Sequence, residues 1–183
     1  MAKENQSIKM WKRGFFTGII AGEGSFSIKI SKQKSSKLGI RITPVFSITM
    51  SQDNIQMIQN LKESIGHGGL YEYRKSKEGH SRMLKFSIES IEGCKDIISF
   101  IEQHSDTELF RGTERFESYI VWKECVNMID NKEHITKEGA KKIAELRRDI
   151  NSSQRSRDAE EVKNIIDGAT ETPDSGLDSF ETS

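Results

Sequence analysis

Between Phe16 and Phe26 the chain reads Phe-Thr-Gly-Ile-Ile-Ala-Gly-Glu-Gly-Ser-Phe, and within this stretch its hydrophobic period changes from 3.6 residues to 2. A helix must hand over to a strand there with no room for a loop. The helical side begins at Lys9 and carries Met10, Trp11, Phe15, Phe16, Ile19 and Ile20, interrupted by Gly14, Gly18 and Gly22. Each glycine costs about 1 kcal/mol relative to alanine inside a helix. Small residues four apart let two helix backbones approach closely, and such a contact would offset that cost.

From Phe26 the alternation continues through Ile28 and Ile30 against Ser27, Lys29, Ser31 and Gln33. It returns with Ile40, Ile42, Phe46, Ile48 and Met50 against Arg41, Thr43, Ser47 and Thr49. These are two half-buried strands joined by a basic loop, Lys32 to Lys37. Residues 53–65 have helical spacing, Leu70–Arg74 and Arg82–Ile88 form a second hairpin turning at Lys77-Glu78-Gly79, and Ile91–Gln103 and Arg115–Ile129 are helices. Thr136 caps a last helix that ends at Ile150. The order predicts an α+β domain built on one four-stranded antiparallel sheet, with one face apolar under helices and the other polar. Tyr71 and Tyr73 alternate away from the charged positions and are assigned to the core.

The 28 Lys and Arg residues balance 28 Asp and Glu residues, but unevenly. Residues 1–85 hold 15 basic and 6 acidic side chains, a net of +9, whereas residues 158–183 hold 1 and 8, a net of −7. A basic half masked by an acidic tail points to a polyanionic partner. With only 34% apolar residues, part of the chain is expected outside the core, and the tail from about Arg157 is read as disordered. The domain is placed at residues 10–151, between an extension at 1–9 and that tail at 152–183. No apolar run approaches the roughly 20 residues that span a bilayer, and no secretory signal is recognisable, so an intracellular protein with no membrane partner is expected. Cys94 and Cys125, far apart and without His or Cys at ligand spacing, are expected as buried thiols.

Chemistry concentrates at Glu23. A carboxylate at a helix C-terminus is disfavoured by the helix dipole unless a cation answers it. Its flanking glycines leave main-chain oxygens approachable, which suits a hard cation. From local chemistry alone, a plain helix stop with a solvated glutamate is the preferred reading of the same residues.

The segment Phe-Thr-Gly-Ile-Ile-Ala-Gly-Glu-Gly followed by Ser-Phe resembles the signature of the LAGLIDADG homing endonucleases. The likeness continues through the polar-faced hairpin, Pro44–Asn54, Gly66-His67-Gly68-Gly69 and His134–Asn151, and so covers most of residues 10–151. It implies an αββαββα fold with a saddle-shaped sheet. It also implies a dimer axis through Gly14, Gly18, Ile19 and Gly22, with Glu23 and the Gly22 carbonyl as ligands of Mg²⁺. With one motif in the chain, the resemblance implies a homodimer that hydrolyses both strands of double-stranded DNA and leaves short 3′ overhangs. Ala21 stands where the family has Asp, and Met50 where it often has a water-orienting Gln, with Gln52 as substitute. Arg115 is preferred to Arg111 as the supporting base. On the sheet, Ser27, Lys29, Ser31, Gln33, Arg41, Thr43, Ser47, Arg74 and Lys85 are the implied DNA contacts, with Lys34, Lys37 and Lys77 in the turns. The resemblance leaves two rivals, an RNA maturase acting on a host intron and a DNA-binding protein that does not cut.

Overall fold

The computed structural model describes residues 14–74, 82–104, 111–150, 166 and 168, with the backbone alone for Tyr73, Arg74, His104 and Glu114. Helix α1 (residues 14–23) leads into β1 (Gly24–Lys32), β2 (Ile40–Ser51), α2 (Ile55–Ile65), β3 (Gly69–Arg74), β4 (Met83–Ile88), α3 (Ile91–His104), α4 (Glu114–Asp130) and α5 (Lys137–Ile150). The strands lie in the order β1-β2-β4-β3 and every neighbouring pair is antiparallel, the α+β arrangement expected from the alternating periods.

Register assigns the two faces. Gly24, Ile48, Phe86 and Leu70 stand in one row, and Phe26, Phe46 and Ile88 in the next row of the same kind, so the even-numbered positions of β1, β2 and β4 form the apolar face. Helix α3 packs on β2, α4 on β1 and β2, and α5 on α4. The buried centre is aromatic: the Phe26 ring lies 5.1 Å from Trp122, 5.4 Å from Phe46 and 5.5 Å from Tyr119, measured between centroids. Such tilted pairs contribute about 0.5–1.5 kcal/mol each beyond the area they bury. Pro44 is tolerated inside β2 because β4 ends opposite Phe46, so that stretch has no ladder partner on the β4 side. The free Pro44 carbonyl accepts the Cys94 thiol at 3.8 Å. The Thr136 hydroxyl accepts the Gly139 amide at 3.1 Å and caps α5 as predicted.

Four expectations change. Helix α1 continues through Glu23 instead of stopping at Ala21, because β1 starts at the very next residue. Gln33 follows the end of β1 and belongs to the turn, where its side chain donates to the Ser35 hydroxyl at 3.2 Å. Tyr71 is not a core residue: it is 59% exposed and pairs with Lys85 on the polar face. The expected alternation fails because an irregularity between Glu72 and Arg74 puts Tyr71 and Arg74 opposite Lys85 and Met83, two residues of one face. Finally Ile166, in the segment expected to be disordered, is fully buried in the core cluster. The start of the first helix, the turn at Lys77, and the rest of the tail lie outside the described residues.

Among the described residues no helix is long and apolar enough to cross a membrane. Both cysteines are free and buried, and burial, with Glu89 and Glu92 nearby, pushes the Cys94 thiol up to about 12. Burial does the same at Cys125, likewise to about 12. Neither should react with iodoacetamide at pH 8 until the chain is unfolded, as intact-mass measurement would reveal. Ile166→Ala should cost about 2–4 kcal/mol in chemical denaturation, a core value; a tail residue outside the fold would give a change near zero.

Candidate active site and nucleic-acid face

The transition from α1 to β1 leaves no freedom at residue 24. A Cβ on Gly24 would come within 2.3 Å of the Ile20 carbonyl oxygen, a backbone atom that cannot move aside, so only glycine lets the strand start against the last helical turn. Glu23, the last residue of α1, is therefore fixed at the helix end with its side chain exposed. Arg115, near the start of α4 and half-buried, donates from Nη1 to the Gly24 carbonyl. A guanidinium is thus bonded to the residue following the carboxylate, supplying the cation that a helix C-terminus favours.

The other predicted helper lies elsewhere. Gln52 sits in the 3-10 turn after β2, its amide bonded to the Arg82 carbonyl at 2.8 Å. It is four residues beyond Ile48, the partner of Gly24, or roughly 13 Å along the strand direction. Met50 faces the core opposite Leu84. Ala21 also packs against the core, an apolar contact in place of a polar one. Among the described residues no three His, Cys, Asp or Glu side chains gather where they could hold a metal ion. At the end of α1 the chain offers the exposed Glu23 carboxylate and its neighbouring main-chain oxygens.

Among the described residues nothing covers the glycines of α1. Gly14, Gly18 and Gly22 are exposed, and a Cβ added to any of them would meet nothing within 4 Å. Phe15 is 57% exposed beside them, while Ile19 is only partly exposed and packs against the core. A flat strip of backbone with one unburied aromatic is a surface a second helix can approach closely.

The polar sheet face reads in rows. Outermost stands Ser31 opposite Arg41, then Lys29 opposite Thr43, then Ser27 opposite Val45. Nearest Glu23 come the row Ser25–Ser47–Ser87–Gly69 and the row Thr49–Lys85–Tyr71. Lys29, Ser31 and Arg41 are exposed, as are Lys34 and Lys37 in the β1–β2 turn, whereas Ser27 and Lys85 are half-buried. Thr43 and Ser47 are each only 7% exposed and form a floor between taller neighbours. Arg74 is placed on this face by its pairing with Met83. Lys77 lies outside the described residues. Ser25, Ser87 and Tyr71 stand on this face beyond the residues assigned to it from the sequence, the two serines being available from simple alternation, and Thr49 stands there as its alternation predicts.

Among known proteins, the profile of the LAGLIDADG endonuclease family matches residues 16–126. "Probable intron-encoded endonuclease 3" of Neurospora crassa is 26% identical over 136 residues, which is 74% of this chain and 24% of that protein. The chain spans about a quarter of the length of the first curated relatives it matches. The structure of an archaeal intron-encoded homing endonuclease complexed with DNA superposes with a TM-score of 0.71 at 28% identity, covering 86% of this chain and 95% of that one. I-SmaMI bound to an uncleaved DNA target in the presence of calcium ions superposes at 0.68 with 26% identity, covering 90% of this chain and 50% of that one.

The close contact at Gly24 yields a paired prediction. Gly24→Ala should destabilise the fold by about 2–4 kcal/mol, since backbone must move to admit the methyl group. Gly22→Ala, two residues earlier with open space at its Cβ, should be neutral or stabilising by up to about 1 kcal/mol in denaturant titration of the isolated chain.

Proposed function

The chain belongs to the LAGLIDADG endonuclease family, and from that premise we propose that it is one half of a homodimeric, metal-dependent endonuclease that cuts double-stranded DNA at a specific site. The observation that carries this reading is the incompleteness of the site in one copy: among the described residues no three possible metal ligands gather, and the exposed Glu23 ends a helix whose glycines face open space. Crossing two α1 helices at Gly14, Gly18 and Gly22 brings Glu23 of each chain to one axis. The lengths support it, since this chain covers half of the I-SmaMI chain and nearly all of the archaeal one.

The donor set suits a hard cation such as Mg²⁺, which is commonly held by one or two carboxylates together with substrate phosphates. Glu23 and the Gly22 carbonyl from each chain would hold it, and the bound ion would supply an activated water and neutralise the leaving oxygen. The chain's own residues do the rest. Gly24 locks the carboxylate's position against the helix, and Arg115 ties α4 to that junction and adds positive charge where two carboxylates and a phosphate meet. The sheet face lies in the major groove, with Arg41 and Lys29 reaching base edges. Lys34 and Lys37 in the turn meet phosphates, which fix register without reading sequence. The two cuts fall on opposite strands across the axis and leave short 3′ overhangs.

The test is direct. A duplex made by joining the coding segments that flank the reading frame should be cut on both strands in Mg²⁺, and Glu23→Gln should lower the rate by about a thousandfold or more while leaving binding intact. Cleavage at the wild-type rate by Glu23→Gln would contradict the assignment.

A further inference from the structure

Three serines and a glycine stand in one row across all four strands: Ser25, Ser47, Ser87 and Gly69. Ser87 is 7% exposed, and its Oγ is wholly buried with no hydrogen-bond partner among the described residues. Its cross-strand neighbour Gly69 is covered by a ring. A Cβ at residue 69 would lie 2.4 Å from the Tyr71 hydroxyl, 2.7 Å from its Cζ and 2.9 Å from its Cε2. Tyr71 therefore folds back along its own strand into the space a side chain at 69 would fill, immediately beside Ser87. Cross-strand Cβ atoms are about 5 Å apart, so the tyrosine ring and the orphan hydroxyl are near neighbours. They are not bonded to one another.

A tyrosine serving only the fold would be enclosed, yet this one is 59% exposed. A buried hydroxyl without a partner is disfavoured unless something supplies one in the working state. The ring rests on a glycine, so no side chain at 69 holds it in place. We propose that Tyr71 is a hinged cover over this row. It turns away when duplex DNA is seated, and Tyr71 and Ser87 then read the base pairs nearest the cut. This deepens the endonuclease reading above and rests on it. Hydroxyls can donate or accept, so Ser87 can bond either kind of major-groove base edge, while the Tyr71 ring offers an apolar flank to a thymine methyl group. Position selects which base pairs. The serine row adjoins Gly24, and the Ser31–Arg41 row lies six residues further out, roughly 20 Å or about six base pairs away.

Selection from a randomised duplex library by the full chain, with Ca²⁺ in place of Mg²⁺ to retain bound DNA, tests it. Wild type should enrich a site with preferences at both inner and outer positions. Tyr71→Ala and Ser87→Ala should keep the outer preferences, which reports an intact fold and an intact Arg41 contact, and lose roughly tenfold discrimination at the inner positions. Inner preferences superimposable on wild type in both variants would overturn this inference alone. Failure of the wild-type chain to enrich any sequence would overturn the endonuclease reading and this inference with it.

Discussion

The structure depends on one steric fact, that the backbone of residue 24 passes so close to the Ile20 carbonyl that no side chain fits between them. Because helix and strand meet there without a loop, the direction of α1, the start of the sheet and the position of Glu23 are a single geometric unit. The α1 face that carries Gly18 and Gly22 points outward, while Phe16 and Ile20 are buried. Arg115 reaches the same junction from α4 and ties the helical layer to it. The backbone thus fixes where the Glu23 side chain leaves the helix, with the side chain itself exposed.

Much of this was legible in the sequence because the relevant signals are periodic. Alternation in β1, β2 and β4 assigned the two faces, since each of those strands keeps its phase from end to end. Glu23 stood out through the resemblance of its segment to a known signature, since local chemistry alone reads an acid between two glycines as a helix stop. The preference for Arg115 over Arg111 named the arginine that bonds Gly24. What failed did so where phase is lost. The irregularity between Glu72 and Arg74 defeats counting by twos in a strand of six residues, and Tyr71 was assigned to the core by counting back from Arg74. Ile166 was hidden for a different reason: one buried side chain in a polar segment carries no pattern. The four-residue offset of Gln52 could be read only from strand pairing.

Charge and shape divide the work between the two layers. The basic first half supplies the exposed Lys29, Lys34, Lys37 and Arg41 around a low floor of Ser, Thr and Val, so the sheet face is positive at its edges and shallow at its centre. That profile suits a rod of phosphates whose base edges project inward. The apolar face is filled by Phe26, Phe46, Phe86 and Trp122, which hold the sheet to the helices. In the proposed complex the polar layer meets DNA, while the apolar layer joins the sheet to its helices.

Sharing of one centre by two chains is the central claim, and subunit mixing tests it most directly. A fixed total of protein would be exchanged to equilibrium with increasing fractions of Glu23→Gln chains, and the rate of strand cleavage measured, counting nicked and fully cut duplex together. A centre that needs Glu23 from both copies predicts a fall with the square of the wild-type fraction. A rate falling in direct proportion to that fraction would mean that each chain cuts alone, and would contradict it.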